Sequence, residues 1–147
     1  MITAVTSVAF IVLTIIAGAV LYTSLIEIPV RQQKNPEGQL NNWQLVFPRA
    51  SGLLKTSGIL LAPLLILSGY LSGNILWYVS FACLMVVQPF TAMFVTKTNN
   101  TLVALSAESD RAQIVSLIQT WDRLHHMRTA MIMSSMLIAA TALFYTT

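Results

Sequence analysis

The sequence predicts an all-α fold, a four-helix transmembrane bundle whose last helix has a long extension on the cytoplasmic side. The chain has 147 residues, of which 56% are hydrophobic and only 9% charged. In soluble domains about a quarter of residues are charged. The apolar residues form four runs, each near the roughly 20 residues that cross the hydrocarbon core as a helix. Backbone groups in lipid must bond internally, so helices are expected, and the length fits one domain.

Local signals mark the ends of the predicted spans. The first is expected to end at Pro29, because proline discourages continuation of a helix. No Lys or Arg precedes it, so a retained helix is expected rather than a signal peptide. Ser72-Gly73-Asn74 predicts a tight turn between the second and third spans. The four predicted spans are residues 2–28, 52–71, 75–95 and 127–145.

The last helix is predicted to begin well before its apolar run. The stretch "DRAQIVSLIQTWDRLHHMRT" contains no Gly or Pro and leads into the fourth span. Ser109 or Asp110 is expected to cap its start. A helix from Asp110 to Tyr145 would measure about 54 Å at 1.5 Å per residue. That length exceeds a core of about 30 Å, so the first turns should stand clear of the lipid or lie against the other cytoplasmic loop.

The basic residues predict the sidedness. By the positive-inside rule, both long loops are cytoplasmic and the N- and C-termini lie on the outer or lumenal side. The net charge of +3 is not clustered as a nucleic-acid-binding stripe would be, so no nucleic acid is expected as a partner. All eight basic residues lie in or beside the loops after the first and third spans: Arg31, Lys34, Arg49, Lys55, Lys97, Arg111, Arg123 and Arg128.

The stretch "IQTWDRLHHMRTAM" contains the candidate chemistry. On a helix, Trp121, His125 and Arg128 fall on one stripe. The indole offers a stacking face, the imidazole a base near neutral pH, and the guanidinium a group that binds anions. The alternative is structural: interfacial anchors, with Asp122 and His126 as an i, i+4 pair.

Other spans contribute a few polar groups, which are expected to face the bundle interior. Gln88 and Thr91 flank Pro89, whose missing N–H can kink the third helix. Tyr22 lies on the first helix, together with Glu27, which an arginine one turn later can neutralise. Hydrogen bonds between helices are the simpler interpretation of most of these groups.

No metal and no cofactor is expected. The single cysteine, Cys83, excludes an intrachain disulfide and a cysteine-rich metal site. Neither Glu-x-x-His nor His-x-x-x-His occurs, so di-iron and zinc sites lack ligands. His125 and His126 point about 100° apart on a helix and cannot hold one haem iron from opposite faces. A haem with a single histidine ligand is a weaker alternative.

Two motifs in the carboxyl half resemble those of a known family. "PFTAMFVTKTNNTLVAL" followed by "WDRLHHMR" is similar to the anthrone oxygenase-like family of small four-span membrane proteins. The stretches "AGAVLYTSLIEIPV" and "NNWQLVFPRASG" are also similar, though less specific. The matching positions are Pro89-Phe90-Thr91, Thr98-Asn99-Asn100, Leu102, Trp121, Leu124, His125 and Arg128.

The resemblance implies a cofactor-independent oxygenase of polyketide secondary metabolism. Family members with known roles oxidise an anthrone to an anthraquinone with O₂. The resemblance implies that His125 is the catalytic base and Arg128 the anion clamp. The substrate-binding residues are then expected to be Trp121 as a stacking wall, Asn99, Asn100, Gln88, Thr91 and Tyr22.

A non-catalytic membrane scaffold or accessory subunit of a larger complex is the alternative function. An enclosed apolar cavity that exposes His125 and Arg128 would favour the enzyme, whereas satisfied ion pairs at both would favour the scaffold. A small transporter would need a polar path through the bundle, and the far half has almost none. The expected partners are a flat hydrophobic aromatic substrate, O₂, membrane lipid, and a second copy or a pathway enzyme.

Overall fold

A computed structural model describes residues 2–145, and within that range the chain forms four long helices and no strand. All four are long and apolar enough to cross a membrane. The predicted all-α transmembrane bundle is therefore confirmed, and the chain is an integral membrane protein. The predicted outer placement of both chain ends concerns termini that lie outside the described residues. The helices are α1 (Ile2–Gln32), α2 (Pro36–Ser72), α3 (Ile75–Ala104) and α4 (Arg111–Phe144).

Helix α2 begins much earlier than predicted. The sequence placed a long loop before residue 52, but the helix starts at Pro36. Asn35 caps this start by accepting a hydrogen bond from the Gly38 amide at 2.9 Å, and proline is favoured at the first helical position. Pro48 lies inside the helix without ending it, as proline often does in transmembrane helices. The prediction of a long loop was wrong because the Asn35 cap and the proline at the first helical position, Pro36, were not recognised as a helix start.

Helix α1 was predicted to end at Pro29. In the structure it continues to Gln32. Its turn over Thr23–Glu27 is π-helical, and the Ile28 amide bonds to the Thr23 carbonyl five residues back. In a regular helix a proline ring clashes with the carbonyl four residues earlier. The wider turn directly before Pro29 relieves that clash, so the helix passes through.

Helix α3 contains a second π-helical turn, over Thr91–Val95. It follows Pro89, where the sequence predicted an irregularity. The helix then continues to Ala104, nine residues beyond the predicted end of the span. Single π turns inside α-helices occur frequently at functional sites.

Helix α4 agrees closely with its prediction. Asp110 caps it by accepting a hydrogen bond from the Ala112 amide at 3.2 Å, and its 34 residues measure about 51 Å. Its first turns pack against the parts of α1, α2 and α3 that lie beyond the predicted spans. This corresponds to the predicted packing against the other cytoplasmic loop, which is helical in the structure. The buried residues there, the extension cluster, are Ile28, Leu40, Trp43, Val95, Leu102, Ile114, Ile118 and Trp121.

Polar side chains join the helices deeper in the bundle. Ser80 Oγ lies 2.8 Å from the Ser135 carbonyl, and Ser135 Oγ reciprocates to the Ser80 carbonyl at the same distance. The predicted tight turn is also present: Gly73 has φ 65°, a conformation that favours glycine, and Asn74 Oδ1 caps α3. These contacts join α3 to α4 and fix the turn between α2 and α3.

Candidate functional site

A cavity of about 360 Å³ lies inside the bundle and receives side chains from all four helices. Small-molecule sites typically occupy roughly 300–1,000 Å³. Most of the lining is apolar, and its polar side chains lie toward the end of the bundle that bears the charged residues. The structure brings seven of the predicted site residues to this lining: Gln88, Thr91, Asn99, Asn100, Trp121, His125 and Arg128.

Tyr22 is the predicted site residue that does not line the cavity. Its side chain is 61% exposed on the outer face of α1, whereas Val20 and Thr23 line the cavity instead. The prediction of Tyr22 as a site residue was wrong, because the side of α1 that faces the cavity is the one with Val20 and Thr23.

The predicted stripe on α4 faces inward. Trp121 and His125 are buried, Arg128 is half-buried, and all three line the cavity. His126, the next residue, lies about 100° further round the helix and is exposed. The helical period placed the two histidines on different stripes, and the stripe with His125 is the one that reaches the cavity.

A buried ion-pair network stands behind this stripe. Arg31 is only 1% exposed, and its Nη1 lies 2.6 Å from Glu27 Oε1. Its Nη2 pairs with Asp122, which also accepts a hydrogen bond from Gln32 Nε2 at 3.0 Å. The predicted neutralisation of Glu27 is confirmed, and Asp122 pairs with α1 rather than with His126. Buried charges need such partners, because removing one leaves the others unpaired.

Trp121 is held on several sides. Its ring stacks on His125, with centroids 5.0 Å apart, and the Arg31 guanidinium carbon lies 5.1 Å from its centroid. Trp43 meets it edge-on at 5.9 Å. These contacts occupy much of the indole surface that was expected to stack on a substrate. Phe47, which stacks on Trp43 at 4.5 Å and also lines the cavity, offers a further aromatic surface that the motifs did not single out.

The contacts of His125 define its tautomer. Nε2 lies 3.2 Å from the Val20 carbonyl, and Nδ1 lies 3.4 Å from Nη2 of Arg128. A carbonyl only accepts and a guanidinium only donates. Nε2 therefore carries the proton, and Nδ1 carries the lone pair that a base requires.

These contacts do not favour a haem at His125, because iron ligation would break one of them. Within residues 2–145, no group of three or more His, Cys, Asp and Glu side chains is placed to hold a metal ion. The absence of a cofactor remains a prediction.

Arg128 differs from Arg31 in its partners. In the described part of the chain, no Asp or Glu forms an ion pair with Arg128. Its Nε is buried and, like the Nε of Arg31, makes no hydrogen bond within that range. A partly buried cation without a counterion is costly, and an anion bound in the cavity would supply the missing partner.

Three further polar atoms of residues that line the cavity lack a partner among residues 2–145. They are Asn99 Nδ2, Thr91 Oγ1 and Glu27 Oε2, since the hydrogen bonds of these residues use other atoms. Donors and one carboxylate oxygen are thus available beside an apolar hollow. Such a lining can hold a flat apolar ring system, stabilise an oxyanion on it and accept a proton.

One comparison with known proteins found a family to which this chain is similar. The family model described as anthrone oxygenase matches residues 43–138, from Trp43 on α2 to the last two turns of α4. Comparison with curated proteins and with solved structures found no match. The family match indicates an oxygenase-type function. Because it spans more than half of the sequence, the chain belongs to the anthrone oxygenase family.

Proposed function

We propose that this protein is a cofactor-independent membrane oxygenase that oxidises an anthrone-type polycyclic phenol to a quinone with O₂. Such a substrate carries an acidic methylene group. Its deprotonation gives a phenolate-like carbanion that can pass an electron to O₂ without a metal or flavin. The methylene and O₂ become a carbonyl group and water, so the protein must handle protons and stabilise negative charge.

The observation that carries the proposal is the unpaired cation of Arg128 on the wall of an apolar cavity. A guanidinium placed where negative charge develops stabilises that charge strongly in a site that excludes water. We assign Arg128 as the clamp for the substrate oxyanion. Asn99 Nδ2, which makes no hydrogen bond with residues 2–145, is a second donor for a substrate oxygen or a peroxide.

His125 serves as a base in this reaction. Its Nδ1 holds a lone pair, and its contact with Arg128 is long at 3.4 Å. When Arg128 turns to a substrate oxyanion, that lone pair is released. Gln88, Thr91 and Asn100 contribute polar groups to the same lining.

A flat, poorly soluble substrate partitions into the bilayer, which explains a membrane-bound enzyme. Substrates of this kind belong to polyketide secondary metabolism. The basic residues favour an orientation with the short connections 33–35 and 105–110 in the cytoplasm and both termini on the outer or lumenal side. There the site would receive its substrate from a pathway enzyme or from the lipid, and a second copy of the chain is a further partner.

A scaffold role is less well supported. It would require both Arg128 and His125 in satisfied pairs or against another chain. Arg31 meets that description, since two carboxylates hold it. Arg128, without a carboxylate partner in residues 2–145, does not.

The test is aerobic conversion of an anthrone by purified, metal-stripped protein, compared with two histidine variants. His125→Ala is expected to lose turnover by about 10²-fold or more, a typical loss for a proton-transfer group. His126→Ala is the matched control, because its ring is exposed and lies outside the cavity. Equal rates for wild type and a folded His125→Ala variant would remove His125 as a base.

A further inference from the structure

The proposed reaction removes two protons from the same carbon, and His125 is poorly placed to accept the first. Its Nδ1 accepts a hydrogen bond from Arg128 for as long as Arg128 has no anion to bind. A neutral substrate brings no such anion. A group whose lone pairs no donor occupies is better placed to take the first proton.

Glu27 offers a free acceptor on the cavity wall. Its Oε1 lies 2.6 Å from Arg31 Nη1 and 3.4 Å from Asn42 Nδ2. Its Oε2 makes no hydrogen bond within residues 2–145, and the side chain remains 15% exposed. A carboxylate held through one oxygen keeps the lone pairs of the other. Glu27 is therefore both positioned and available.

The π-helical turn of α1 contributes to this placement. Glu27 is the last residue of the turn Thr23–Glu27, and both of its end residues line the cavity. Asp122, the other carboxylate on Arg31, does not line the cavity. The two carboxylates share one arginine but differ in access to a substrate.

We infer that the Glu27 carboxylate accepts the first methylene proton and that His125 accepts the second, an inference that rests on the proposed oxygenase function. In the first step the C–H bond breaks, its electron pair stays on the ring system, and the proton moves to Oε2 of Glu27. Arg128 then leaves Nδ1 of His125 for the new oxyanion. One electron passes to O₂, and the two radicals combine to form a C–O bond.

The second step consumes the remaining C–H bond. Glu27 returns its proton to the peroxide, giving a hydroperoxide. His125 Nδ1 takes the second proton, the C–H electron pair forms the carbonyl π bond, and the O–O bond breaks. The departing hydroxide takes the proton from His125 as water. The sum is methylene plus O₂ to carbonyl plus water, with both residues restored.

Anaerobic hydrogen exchange separates the two steps. Without O₂ the reaction stops at the carbanion, and reversal in D₂O exchanges the methylene protons of an anthrone. We expect the full-length wild-type protein to accelerate this exchange above the buffer rate. Glu27→Gln, which still offers an oxygen to Arg31, is expected to lower the acceleration by about 10²-fold or more. His125→Ala is expected to keep it while losing quinone formation in air.

Control variants distinguish Glu27 as a proton acceptor from Glu27 as the ion-pair partner of Arg31. Asp122→Asn weakens the same arginine network from outside the cavity and is expected to leave exchange near wild type. If Glu27→Gln fails to fold, Glu27→Asp takes its place, because it keeps the charge but retracts the carboxylate by one methylene and should slow exchange. If either folded Glu27 variant exchanges the methylene protons at the wild-type rate, the inference about Glu27 is wrong. The oxygenase proposal is unaffected in that case, provided that the wild type forms quinone in air. No quinone from the wild type in air would instead overturn the oxygenase proposal.

Discussion

Trp121 Nε1 donates a hydrogen bond of 2.9 Å to Asn99 Oδ1, and this contact joins the two motifs that identified the family in the sequence. The indole also stacks on the ring of His125. Asn99 thus orients Trp121, and Trp121 orients the imidazole. The amide oxygen of Asn99 is used within the protein, which leaves Nδ2 for a substrate.

The first prediction concerns this hydrogen bond. Asn99→Leu removes the acceptor and leaves the buried indole N–H unsatisfied, which should lower the free energy of unfolding by about 1–3 kcal/mol. Asn100→Leu is the control, since Asn100 is exposed and makes no such bond with residues 2–145. Unfolding of the purified proteins in detergent measures both. Equal stability of the two variants would contradict a role for Asn99 in holding Trp121.

The second prediction compares two arginines in ion pairs. Arg31→Met leaves Glu27 and Asp122 without their shared cation, and breaking a buried pair in this way typically costs about 3–5 kcal/mol. Arg111→Met removes a pair with Glu37 whose arginine is 78% exposed, and exposed pairs contribute little. Unfolding midpoints should therefore fall for the first variant and change little for the second. A stable Arg31→Met protein would argue against the network as a support of the site.

The third prediction separates function from stability at Arg128. This cation has no carboxylate partner in the described part of the chain, so Arg128→Met should leave the unfolding midpoint unchanged or raise it. The same change removes the oxyanion clamp and should lower kcat/KM for an anthrone by about 10²-fold. A large loss of stability with retained turnover would reverse the roles assigned to Arg31 and Arg128.

The fourth prediction concerns a substitution that fills the cavity without disturbing the fold. A Cβ at Gly58 or at Gly52 would meet no heavy atom within 4 Å, and both residues lie on α2. Only Gly58 of these two lines the cavity. Leucine should not weaken the helix at either position, since glycine is the poorer helix former by about 0.8–1 kcal/mol.

Gly58→Leu is expected to abolish or sharply reduce turnover, while Gly52→Leu retains it. Steady-state kinetics on detergent-purified protein measures both, with circular dichroism as the check on helix content. Full activity of Gly58→Leu would place the substrate elsewhere.

The fifth prediction tests the orientation in the membrane. Cysteines are introduced at Glu108, in the connection between α3 and α4, and at Ser72, beside the turn between α2 and α3. In intact cells a membrane-impermeant thiol reagent should label Ser72→Cys but reach Glu108→Cys only after permeabilisation. The unmodified protein controls for the native thiol of Cys83. The opposite labelling pattern would invert the proposed orientation.

The sequence contained enough to predict the spans and the inward stripe of α4. Apolar length and helical period are local properties, and they placed Trp121, His125 and Arg128 on one stripe. The cap, expected at Ser109 or Asp110, is Asp110 in the structure. Seven predicted site residues meet at one cavity because they lie on two helices, α3 and α4, that pack together.

What the sequence did not predict depends on contacts between distant residues. Arg31 and Asp122 are 91 positions apart, and no local pattern pairs them. Phe47 lies in a stretch interpreted as a loop, so its approach to the cavity was not foreseen. The π turns also escaped prediction, because they are a response of the helix to tertiary packing and to proline rather than a pattern of residue types. Tyr22 was placed inward by polarity, although it faces outward in the bundle.

The central claim is that this membrane cavity supports oxygenation without a metal or an organic cofactor. Its most direct measurement is the conversion of an anthrone by chelator-treated, purified protein under O₂ labelled with the heavy oxygen isotope. We predict quinone formation with one labelled atom in the new carbonyl and the other in water. Absence of quinone, or a carbonyl oxygen that comes from unlabelled water, would contradict the account.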